Sequence, residues 1–72
     1  MLLRTRILRD LMAGQSTASS MAQRFNSHEV AVERDCRQLI AESLITSHPV
    51  ADAFIVFRLT EQGRDLATNL KR

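Results

Sequence analysis

Arg34 and Arg37, flanked by Val30 and Gln38, are the residues of this chain best suited to recognition chemistry. A guanidinium presents its N–H donors in a planar fork, which matches the paired acceptors of guanine or the oxygens of a phosphate. Spacing supplies the rest of the argument. In AVERDCRQLIAESLI, which runs from Ala31 to Ile45, the apolar residues Val32, Cys36, Leu39 and Ile40 recur at helical intervals. At roughly 100° per residue they share one side, while Val30, Arg34, Arg37 and Gln38 fall opposite. A helix packed by one face and carrying guanidinium groups on the other can enter a major groove. The alternative for Arg37 is an exposed pair with Glu33, four residues earlier, worth about 0.3–0.5 kcal/mol.

Weaker candidates surround this core. Ser27 and His28 stand where that helix starts, so side chain or amide can meet a phosphate; a plain capping role accounts for Ser27 equally well. Arg24 is a second phosphate candidate, with surface charge as its alternative. His48 ends the short strand that follows the helix, with the turn after it, and is a further DNA-contact candidate at that turn. Arg4, Arg6 and Arg9 read as a solvated face of the first helix. Glu29 and Glu33 oppose phosphate contact, and fit a flank position or a helix start better, where negative charge suits the macrodipole. Catalysis has nothing to stand on: two isolated histidines, no paired carboxylates and no Gly-rich phosphate loop. No cofactor or metal is expected, since one cysteine makes neither a CxxC pair nor an internal disulfide.

The elements that position these residues follow from periodicity and breakers. Leu3, Ile7, Leu8 and Leu11 form a helical stripe, and Gly14 closes it, giving a first helix over about 2–13. Thr17 caps a short second helix carrying Met21, Ala22 and Phe25, with Asn26-Ser27 as the turn. Ser27 or His28 caps the third, which runs to about Glu42 or Ser43. Ile45 to His48 then reads as a short strand, Pro49 to Asp52 as a turn, and Ala53 to Leu59 as an alternating strand. In that alternation Ile55, Phe57 and Leu59 face inward, whereas Phe54, Val56 and Arg58 face out. Thr60 caps a last helix in which Leu66 and Leu70 share a side. The order helix, helix, helix, strand, strand, helix predicts an α+β, mostly α fold. The expected architecture is a winged helix-turn-helix: a three-helix bundle, a two-stranded hairpin wing and a C-terminal helix.

Two segments carry a resemblance. Thr17 to Ala22 (TASSMA), Val32 to Leu39 (VERDCRQL) and Ser43 to Ile45 (SLI) resemble the recognition region of bacterial DeoR-type regulators, whose "TVRRDLxxLxxxGLI" helix follows a "T-x-x-x-LA" helix. Phe57 to Leu66 (FRLTEQGRDL) is similar to the "Y-x-LT-x-x-G-x-x-L" exit from the wing in MarR- and PadR-type regulators. The resemblance implies DNA reading by the third helix, with the wing reaching toward the minor groove. Departures from the pattern are Ser43 in place of the glycine before "LI", and Glu33 in place of the first arginine of "RRD". The resemblance covers only the DNA-reading half of such proteins, so no effector is implied.

Size and charge bound the reading. The 72 residues make one domain, near the lower limit for a single core, and self-association is the expected extra source of stability. Phe54 and Val56 on the strand, with Leu66 and Leu70 on the last helix, are the expected homodimer surface. Net charge is only +2, but nine of the ten cations are arginine. No apolar run approaches the roughly 20 residues of a membrane span, and Arg4 and Arg6 interrupt any signal-peptide core. The expectation is a cytoplasmic, nucleoid-associated transcription regulator, dimeric on double-stranded DNA. The rival is a winged-helix module that binds a protein and no DNA.

Overall fold

The structure, a computed structural model, describes residues 2–52 and 54–70. Its elements are α1 (Leu3–Leu11), β1 (Ser16–Thr17), α2 (Ala18–Phe25), α3 (Glu29–Ala41), β2 (Ile45–Ala51), β3 (Phe54–Leu59) and α4 (Glu61–Leu70). The expected helices all form. The expected hairpin is part of a three-stranded antiparallel sheet of order β1-β3-β2. The added strand is two residues long, Ser16 and Thr17, paired with Phe57 and Val56. No periodicity can be read from so short a segment. The start of the last strand at Ala53 lies outside the described residues.

One core holds these elements together. Ile7, Leu8 and Leu11 of α1 meet Met21 of α2, Val32, Cys36 and Leu39 of α3, and Ile45 and Phe57 of the sheet. No polar or charged residue is buried among the described residues, so this core rests on apolar burial alone. Ion pairs at the surface also tie helices together. Arg4 of α1 donates from Nη1 and Nη2 to the two carboxylate oxygens of Glu42, each at 2.8 Å, at the C-terminal end of α3. Arg4 is therefore a tie between helices rather than part of a solvated face. Its hydrogen bond holds the Glu42 carboxyl below its ordinary range, with burial acting the other way.

Helix ends are closed by backbone conformation. Thr17 caps α2 as expected, accepting from the Ser20 amide at 3.1 Å. After α2, Asn26 takes a left-handed φ of 54°, and the Ser27 amide reaches the Ala22 carbonyl at 2.9 Å. After α3, Ser43 does the same at φ 63°, with the Leu44 amide on the Leu39 carbonyl at 2.9 Å. This is the six-to-one bond that usually recruits glycine at the left-handed position. Ser43 therefore keeps the expected closure without the expected residue. Gly63 has the opposite necessity: a Cβ there would overlap the backbone carbonyl of Leu44, which already accepts the Thr60 amide at 3.0 Å.

Three sequence expectations are corrected in the wing. Pro49 lies within β2 and does not end it. The strand tolerates it as an edge strand with a bulge between Pro49 and Ala51. Val56 was expected on an exposed edge but is buried, because β3 is central, with Thr17 and His48 as its cross-strand neighbours. Ile55 was expected in the core and is 49% exposed.

Candidate nucleic-acid interface

α3 divides into a buried stripe and an open one. Val32, Cys36 and Leu39 are fully buried, as the spacing predicts. Ile40, assigned to the same seam, is displaced 100° or so from Leu39 and stays 37% exposed. On the open side Val30 is 75% exposed, and Arg34, Arg37 and Gln38 are exposed with it. Neither Arg34 nor Arg37 makes an ion pair or side-chain hydrogen bond among the described residues. The Glu33–Arg37 pair considered from the sequence does not form within ion-pair distance.

Other arginines are engaged by the fold. Arg24 donates from Nε and Nη2 to the Asp10 carboxylate at 3.0 and 2.6 Å, and from Nη2 to Ser16 Oγ at 2.6 Å. The bond to Asp10 raises its pKa further, and the three bonds fasten α2 to α1 and β1. Its guanidinium is thus occupied, contrary to a phosphate-contact assignment. Arg58 donates to Gln15 Oε1 at 2.7 Å.

Of the two residues expected to cap α3, the structure takes the second. His28, not Ser27, is the N-cap, with extended φ and ψ and no side-chain capping bond. The Ser27 amide is consumed by the Ala22 carbonyl and cannot meet a phosphate. His28 itself is exposed, so the first turn of α3 opens to solvent with Glu29 as its acidic residue. His48 lies in β2 opposite Val56, in the strand expected for it, and its Nε2 shares a 2.7 Å hydrogen bond with Thr46 Oγ1.

The wing has an apolar end. Val50 and Phe54 are more than half exposed, Asp52 sits between them, and β2 contains no lysine or arginine. Between β3 and α3 lies an open cleft lined by Glu29, Glu33, Arg37 and Ile40 on the helix and by Phe54, Ile55 and Phe57 on the sheet. Sequence reasoning did not find this cleft. Its helical stripe was legible, but the strand facing it is placed only by tertiary packing.

Comparison with known proteins identifies the fold. No family model matches the chain, and no curated protein matches it. Solved structures do. The adhesin competence repressor AdcR of Streptococcus pyogenes matches with a TM-score of 0.92 at 22% identity, over 99% of this chain and 53% of that one. RV1404 of Mycobacterium tuberculosis matches at 0.88 and 23% identity, over 99% of this chain and 50% of the other. Reduced HlyU of Vibrio cholerae matches at 0.87 and 16% identity, over 100% and 76%. The chain is similar in fold to winged-helix proteins, and it spans about half the length of the first two.

Proposed function

We propose that this chain is a winged-helix DNA-binding module of a transcription regulator, with α3 entering the major groove. The observation that carries this reading is the open side of α3. Among the described residues Arg34 and Arg37 make no ion pair or side-chain hydrogen bond there, while Arg4, Arg24 and Arg58 each bond to the scaffold. Arg34, Gln38 and Val30 would meet base edges, Arg37 a base or the backbone, and the open first turn at His28 a phosphate. The fold likeness to a named repressor supports a regulatory role of the same kind. The exposed leucines of α4, Leu66 and Leu70, support a homodimer on a short palindrome.

A salt titration on random duplex DNA tests this. Binding by phosphate contact falls linearly in log affinity as log salt rises, with a slope of about −0.9 per phosphate neutralised. Absence of binding at low salt overturns the reading. One observation favours the rival protein-binding module: the wing ends in apolar Val50 and Phe54, and its edge strand β2 bears no lysine or arginine with which to hold a phosphate wall.

A further inference from the structure

The cleft beside the open side of α3 shares only Arg37 with the proposed DNA contact. Its volume is about 480 Å³, inside the range of roughly 300–1,000 Å³ usual for small-molecule sites. Two of its features lack a partner within the fold. Glu29 and Glu33 point their stripe of α3 into it, and among the described residues neither makes an ion pair, although Arg37 shares the stripe. Across from them, Phe54 and Ile55 leave 60% and 49% of their surface to water. Beside a duplex the carboxylates would face phosphate, which repels them. One kind of ligand satisfies both features: a positive charge carried on an apolar body.

We propose that the cleft binds a small organic cation, an amine or quaternary ammonium with an aromatic or alkyl body. The charge lies against Glu29 and Glu33, and the body lies on Phe54 and Ile55, where a ring face adds cation–π attraction. The opposing charges are weaker at that end. Glu29 is eight residues from Arg37, about 12 Å along the helix axis and beyond a physiological screening length. The positive end of the α3 dipole amounts to about half a charge against two full carboxylate charges. Because Arg37 lines the same cleft, an occupied cleft also weakens the hold of α3 on DNA. That coupling rests on the proposed function; the binding itself does not.

Rhodamine 6G, an aromatic cation, is titrated into the intact chain and followed by fluorescence anisotropy, with anionic fluorescein as the control. Saturable rhodamine binding is expected, with no fluorescein binding. The E29Q/E33Q double variant loses about tenfold or more in affinity, and F54A about fivefold. These side chains lie outside the buried core, so circular dichroism of the variants should match the parent. No saturation by about 1 mM, a limit of weak binding, overturns the site, as does unchanged affinity in E29Q/E33Q or equal binding of fluorescein. Self-association that F54A abolishes would assign the face to a second copy and also overturn it. In a second arm, rhodamine weakens binding to duplex DNA. Dye binding without that effect overturns the coupling, whereas failure of the dye-free protein to bind DNA overturns the DNA reading and leaves the first arm to decide the site.

Discussion

At the scale of single residues, exposure and engagement separate the arginines into two groups. Arg4 and Arg24 each grip a carboxylate with two nitrogens at the surface of the molecule. Arg34 keeps its fork free. Arg34→Ala should cost about 1–3 kcal/mol on a selected site, which is about 5- to 150-fold in Kd, and much less on random duplex. Equal losses on both, measured by competition binding, would make Arg34 a phosphate contact. Cys36 shows the opposite environment. Burial first, then the charges of Asp35 and Glu33, push its thiol up to about 12. The unfolded chain ionises that thiol near 9.0, so the folded state keeps this contribution in full below pH 9.0 and loses it as pH climbs toward 12. Urea titrations above neutral pH should show stability declining over that interval, with a smaller decline in Cys36→Ala. A thiol reagent at neutral pH should label Cys36 only as fast as the chain opens.

Elements are joined here at two backbone positions with contrary demands. Ser43 holds a left-handed conformation that costs a side-chain-bearing residue about 1–2 kcal/mol. Ser43→Gly removes that cost and returns part of it as unfolded-state entropy, for a net gain of about 0.5–1 kcal/mol in thermal melts. Ser43→Ala, lacking the freedom of glycine, should give no such gain. Gly63 is in a helix, where alanine is normally better by about 1 kcal/mol. Its Cβ would nevertheless strike the Leu44 carbonyl, a backbone atom that cannot swing aside. Gly63→Ala should therefore destabilise by about 2 kcal/mol or more and lower Tm by roughly 10 °C, as scanning calorimetry would show. A neutral or raised Tm would mean that α4 docks elsewhere. The first demand was visible in the sequence, as the "LI" glycine replaced by Ser43; the second was not, since Leu44 reaches Gly63 only through tertiary packing.

For the whole molecule, the question is what covers its remaining apolar surface. Leu66 and Leu70 are 36% and 40% exposed on α4, whose buried face consists of Gly63 and Ala67. A small buried face lets α4 lie close on α1 and leaves its leucines outward. Sedimentation should find a dimer that Leu66→Lys with Leu70→Lys converts to a monomer of unchanged helicity. A parent chain that stays monomeric at high micromolar concentration would remove the homodimer and shift the expected DNA site from palindrome to half-site. Among the described residues no helix is long and apolar enough to cross a membrane.

The sequence by itself determined four helices, their order and the buried stripe of α3, because helical burial writes a local period that needs no knowledge of neighbours. Val32, Cys36 and Leu39 follow it, and so do the outward positions of Arg34 and Gln38. Tertiary structure decided what depends on residues far apart in the chain. Ser16 and Thr17 become a strand only because Phe57 and Val56 arrive beside them, and that pairing buries Val56 and turns an expected edge into a centre. Asp10 claims Arg24 across fourteen positions, and β3 meets α3 to form the cleft. Contacts of that kind have no period to read, since they depend on how elements stack and not on how side chains repeat along one of them.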